Sequence, residues 1–74
     1  MIAIDTNVFI ERINAFLNEE VHIKIEGDEN AVSYILREVG KDFLLVDYGE
    51  SQRFIPINKI SFFQIGSYPK EGIN

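Results

Sequence analysis

The feature that most constrains this chain is a change of hydrophobic period at Glu20. Before it, Phe9, Ile13 and Phe16 recur at i, i+4 and i+7, behind the cap-forming residues Asp5, Thr6 and Asn7. That spacing predicts a one-faced helix over about 6–18, too short to stand alone and therefore laid on an apolar surface. Beyond Glu20 the period is two. Val21, Ile23 and Ile25 alternate with His22, Lys24 and Glu26, which predicts a half-buried strand over about 20–26. Gly27-Asp28-Glu29-Asn30 is a turn cluster. A second strand follows over about 31–39, with apolar residues on both faces: Val32, Tyr34 and Leu36 against Ile35 and Val39. Such a strand is covered on both sides or bends sharply.

Val39-Gly40-Lys41-Asp42 puts glycine at the first central position of a two-residue hairpin turn, as type II′ requires, and Tyr48-Gly49-Glu50-Ser51 repeats that chemistry. Between them, about 43–48 reads as a densely apolar third strand. A fourth strand over about 53–57 contains Pro56, and Asn58-Lys59 links it to a fifth over about 60–65. Connections this short make sequential strands antiparallel neighbours. The expected fold is one mainly β domain over about 1–65, with one N-terminal α-helix and a five-stranded, strongly bent antiparallel barrel. Residues 66–74 carry breakers and no period, and read as a loosely ordered tail.

A chain of 74 residues buries only about 60% of its unfolded surface, so its stability margin is thin. Small domains commonly lean on a disulfide, a metal or a partner subunit. There is no cysteine, which removes disulfides and thiolate metal sites and leaves self-association as the leading route. No apolar run approaches the roughly 20 residues of a membrane span, and no basic-then-apolar leader opens the chain. The expectation is a cytoplasmic protein without a membrane anchor. The formal net charge is −5 and no two of the basic residues are adjacent, which counts against DNA and against non-specific RNA binding.

The chemistry of catalysis is thinly represented. His22 is the single histidine, on the polar face of a strand, where solvation is the ordinary state; Lys24 stands between it and Glu26 and repels a cation. No nucleophile elbow, phosphate loop or metal-ligand spacing occurs. The expectation is a protein that is no enzyme and has no cofactor or metal. The aromatics say more. Phe62 and Phe63 are adjacent in one strand and so point to opposite faces, while Phe54 opposes Ile55 and Ile57. One small core cannot take them all, so Phe54, Pro56, Phe62, Phe63 and Ile65 are the candidate interface residues.

In element order and spacing the chain resembles the Sm-like family of small bent barrels, of Hfq and LSm type, and the related SH3-like barrels. The resemblance rests on a leading helix, then strands at Val21–Ile25, Ala31–Val39 and Phe43–Tyr48, and the pair Phe54–Ile57 and Ile60–Ile65. It implies a homo-oligomer in which the fourth strand of one subunit pairs with the fifth of the next. It also implies RNA contacts, for which Lys41, Phe43, Tyr48, Asn58 and Lys59 are the candidates. The chain departs from the family at Ser33, where glycine is favoured, and at Pro56-Ile57-Asn58, where Hfq-type proteins carry Tyr-Lys-His. Pro56 also lacks the amide that such a subunit pairing uses. Two functions stand side by side: a homo-oligomeric assembly or protein-interaction module, and an RNA-binding Sm-like protein.

Overall fold

A computed structural model describes residues 6–66. Helix α1 (Thr6–Ile13) runs into a 3₁₀ turn, η1 (Asn14–Phe16). Strands β1 (Glu20–Ile25), β2 (Val32–Val39), β3 (Phe43–Tyr48) and β4 (Ser51–Pro56) follow, then a second 3₁₀ turn, η2 (Ile57–Lys59), and β5 (Ile60–Ile65). The expected bounds hold within a residue or two, except at the helix. There the α-helix stops at Ile13 instead of continuing to 18. Asn18 adopts the left-handed conformation (φ 69°), and its N–H donates to the Leu36 carbonyl at 2.6 Å. The chain is thereby drawn onto β2, and the last helical turn tightens into η1. Of the expected caps, Asp5 lies outside the described residues, as does the tail from 67 to 74.

The five strands form one antiparallel sheet in the order β4-β3-β2-β1-β5. Among the described residues β4 and β5 are its two borders and the sheet does not close. Yet those borders are separated in sequence only by η2. A flat five-stranded sheet would set them about 19 Å apart. The four steps from Pro56 to Ile60 reach at most about 14 Å extended, and about 8 Å in a 3₁₀ turn. The sheet therefore curls. The Ile57 N–H donates to Asp42 (2.9 Å) and the Glu26 N–H to Lys59 (2.7 Å), tying η2 to the rest of the sheet from both sides.

Curling is provided for by two interruptions of register, one in β5, where Ser61 is the extra residue between the Lys24–Phe62 and Ile25–Ile60 pairs, and one in β2 between Leu36 and Glu38. Such bulges bend a strand and add twist. The second accounts for the two-faced pattern of β2. Leu36 pairs with Val46 and Val39 with Leu44, so Arg37 is the extra residue and both apolar side chains reach the same face. That face is the core. Val21, Ile23, Tyr34, Leu36, Leu44, Val46 and Ile55 are buried there, and α1 adds Ile13, with Phe9 and Phe63 packed at the margin. Phe9 and Phe63 meet edge to face, 5.4 Å between ring centroids. Among the described residues no polar or charged side chain is buried.

The two hairpins differ from each other, and only one is as expected. Gly49 has φ +60° with Tyr48 paired to Ser51, the positive φ that a type II′ turn needs at its first central position. Gly40 is not in the left-handed region. Its N–H donates to the Phe43 carbonyl at 2.8 Å, so Gly40 and Phe43 close the hairpin and Lys41-Asp42 form the turn. Glycine is required at 40 for a different reason: a Cβ there would collide with the Phe43 ring, which folds across it.

Opposite the core, the bulge residue Arg37 anchors a polar network. Its Nε donates to Asp47 Oδ2 (2.7 Å) and its Nη1 to Asn18 Oδ1 (2.6 Å), while Gln52 Nε2 donates to Asp47 Oδ1 (3.0 Å). The hydrogen bonds from Arg37 and then Gln52 favour the charged carboxylate, and hold Asp47 below its ordinary pKa of 3.8. The network joins the left-handed Asn18 to β2, β3 and β4.

Candidate assembly surface

Strand borders are ready templates for another chain, because half their main-chain groups lack ladder partners. Which groups these are follows from the hydrogen bonds at the strand ends. Phe43 accepts from Gly40 and so faces β2, while Asp42 accepts from Ile57 and so faces β4. Successive residues point opposite ways. Hence Ile55, paired with Leu44, faces inward, and Pro56, Phe54 and Gln52 face away from β3. The missing amide of Pro56 is thus on the border, where it costs the β3–β4 ladder nothing. The same reasoning applies to β5. Gly66 donates to the Glu20 carbonyl at 2.8 Å, so Ile65 and Phe63, paired with Val21 and Ile23, present their main-chain groups outward.

Both borders carry exposed apolar side chains. Phe54 on β4 is 70% exposed, the largest value among the big hydrophobics of the described residues, and Phe62 and Ile65 on β5 are 43% and 38% exposed. Phe54 stands 5.5 Å from Phe43 on the outer face of the sheet, next to Leu45 and one pair from Pro56. Phe63 is half-buried and points to the core side, against Phe9. Between α1, η2 and β5 lies an open cavity of about 400 Å³, walled by Phe9, Ile57, Ile60, Phe62 and Phe63 with Asn58 and Ser61 at its polar side.

The other candidate residues divide. Lys41 and Asn58 line a second cavity, of about 310 Å³, with Asp42, Pro56 and Ile57, and Phe43 pairs with Pro56 at that end of the sheet. Lys59 instead pairs with Glu26 at 3.6 Å. Tyr48 lies at the opposite end of β3, under the Arg53 guanidinium at 4.1 Å and 5.6 Å from the buried Tyr34 ring. The candidate RNA contacts therefore do not form one surface.

Sequence reasoning overlooked two positions. Arg53 Nη1 also donates to the Tyr34 hydroxyl at 3.3 Å, which satisfies the polar end of a core tyrosine. His22 is not simply solvated: its Nδ1 N–H donates to the Gly66 carbonyl at 2.9 Å, and Glu20 stands 4.0 Å from its Nε2. Neither partnership had a local signal, since both span strands distant in sequence. No group of three or more metal-ligating side chains occurs among the described residues, and no described helix is long and apolar enough to cross a membrane.

No protein-family model, curated protein or solved structure matches this chain.

Proposed function

We propose that this protein is a non-enzymatic, homo-oligomeric assembly module whose copies join through the two borders of the sheet. The observation that carries the reading is the placement of Phe54, Phe62 and Ile65, all exposed, on the two strands whose outer main-chain groups have no ladder partner among the described residues. Exposed hydrophobic borders are ordinarily blunted by charge or by short strands. Here Pro56 removes one donor, but Gln52, Phe54, Phe63 and Ile65 keep theirs. Edge-to-edge pairing would bury the aromatics and saturate the main chain together.

The order β4-β3-β2-β1-β5, the two bulges and the 3₁₀ turn between the border strands support the finer reading of a small SH3-like or Sm-like barrel. Light scattering across a concentration series tests the assembly. The expected mass is a multiple of 8.5 kDa that falls on dilution; a constant 8.5 kDa at millimolar protein would refute it.

A second reading, contact with single-stranded RNA, is favoured by one observation: Lys41, Asn58 and Phe43 meet at one end of the sheet. The net charge of −5 opposes it. Titration of uridine-rich and adenine-rich oligomers decides. Micromolar binding that weakens with salt upholds it, and flat curves at low salt remove it.

A further inference from the structure

We infer that the cavity between α1, η2 and β5 is a binding site for a small uncharged amphiphile, a molecule with an apolar body and a head group that donates a hydrogen bond, such as an alcohol or a primary amide. The site does not depend on the assembly proposed above. Small-molecule sites are concave and mostly apolar, with a few placed polar groups. This cavity has that make-up. Phe9 from α1, Ile57 from η2, and Ile60, Phe62 and Phe63 from β5 form its walls. Its volume of about 400 Å³ lies near the low end of the roughly 300–1,000 Å³ usual for such sites, which suits a small body.

The polar side of the cavity fixes the head group. The Ser61 hydroxyl donates its one proton to the Lys24 carbonyl at 3.2 Å, so to a ligand it offers only lone pairs. The Asn58 side-chain amide makes no hydrogen bond among the described residues, and it both accepts and donates. A head group that donates satisfies Ser61 and Asn58 alike, whereas one that only accepts leaves Ser61 without a ligand partner. Ser61 stands at this place because it is the extra residue of β5, outside the β1–β5 register. Re-aiming a side chain beside a site is a recurrent use of such a bulge.

Charge narrows the class further. No charged side chain among the described residues lines the cavity. Lys59, next to Asn58 in η2, turns its ammonium to Glu26 at 3.6 Å. A carboxylate or phosphate head would find no counter-ion in the cavity and would meet the net charge of −5 of the whole chain. An ammonium head would leave water for apolar walls that offer no carboxylate. A neutral head remains. The body touches helix and sheet together at the place where Phe9 and Phe63 meet, 5.4 Å between ring centroids, so occupancy ties α1 to β5 and stabilises the folded chain.

The test displaces Nile red, an uncharged dye that brightens in apolar surroundings, from the full chain with a series of unbranched alcohols. Displacement is expected to tighten by up to about fourfold per added methylene until the cavity is full. Octanol is expected to bind at least about tenfold tighter than octanoate or octylammonium. It should also bind several-fold tighter than heptyl methyl ether, its isomer, whose oxygen only accepts. Amide shifts on adding octanol should fall at 9 and 57–63. The melting temperature should rise by about 5–10 °C at tenfold the dissociation constant. Ser61→Phe fills the cavity and should abolish displacement, while Asn58→Leu should reduce the preference for alcohol over ether; both positions are exposed, and circular dichroism checks that each variant folds. The site is overturned by equal binding of octanol and octanoate, by amide shifts confined to another surface, by a melting temperature that octanol leaves unmoved up to its solubility, or by undiminished displacement in Ser61→Phe. Dye uptake that falls as protein concentration rises, with octanol ineffective, also overturns it and gives the cavity to a second copy of the chain.

Discussion

Replacing Gly40 with alanine sets two opposed effects against each other. The backbone at 40 is outside the left-handed region, so alanine is conformationally allowed. On that account alone the exchange stabilises by about 0.4–1 kcal/mol, through loss of freedom in the unfolded chain. Against it stands the Phe43 ring, which occupies the space of the new methyl group. The contact is with the body of the ring, so the ring must leave. Displacing a half-buried phenylalanine forfeits part of the roughly 1.5–3 kcal/mol that its burial is worth. It also forfeits the edge contact with Phe54, about 0.5–1.5 kcal/mol. The loss is larger than the gain, and the expected net destabilisation is about 1–3 kcal/mol. For a domain this small each kilocalorie shifts the melting temperature by about 4–8 °C. Urea unfolding followed by circular dichroism, at one fixed protein concentration, measures it. The decisive arm is a double-mutant cycle with Phe43→Ala. With the ring gone, Gly40→Ala should become neutral or slightly stabilising. A wild-type melting curve for Gly40→Ala, or an equal penalty in both backgrounds, refutes the account.

Three further outcomes follow from the packing. Ile13 is, among the described side chains of α1, the one that is buried, so Ile13→Ala should cost about 2–5 kcal/mol and loosen the helix from the sheet, read by urea unfolding and by amide exchange over 7–16. Pro56→Ala should change stability by less than about 1 kcal/mol, since no ladder bond to β3 is at stake, whereas Ile55→Pro should cost about 3 kcal/mol or more; the same unfolding assay separates them. Asp47 is held below its ordinary value of 3.8, so its contribution is complete above that pH and is lost as the pH falls through the lower folded value. The advantage of the wild-type chain over Asp47→Asn in urea midpoint should therefore be full at neutral pH and vanish in acid. A difference that persists unchanged at pH 2 would count against the Arg37–Asp47 bond.

Much of the strand order was legible because period two is a strong local signal. Val21, Ile23 and Ile25 all reach the core, and the apolar residues on both faces of β2 pointed to a strand either covered on both sides or sharply bent, of which the bulge at Arg37 is the second. The helix was overestimated because Phe16 keeps helical spacing while Asn18, four residues beyond Asn14, is pulled onto β2 by a bond to Leu36 that no local pattern reveals. Gly40 was misplaced for a related reason. A glycine beside a turn has two uses, positive φ or close approach, and sequence alone does not separate them. The sequence could name Phe54, Phe62 and Phe63 as competing for one core. It could not say that Phe63 faces Phe9 while Phe62 does not, because that depends on the extra residue Ser61 in β5, and a one-residue shift exchanges the faces.

The pairing of β1 with β5 carries a consequence for the order in which the domain can form. Val21 meets Ile65 and Ile23 meets Phe63, whereas every other ladder joins strands adjacent in sequence. Four strands can zip up by local hairpins, but β1 keeps an unfilled side until nearly the whole described chain has left the ribosome. Closing that last loop is the slow, entropically expensive step. During the interval the main-chain groups of Glu20, His22 and Lys24 lie open to any strand within reach, so a truncated product ending before Ile60 is the species most apt to aggregate.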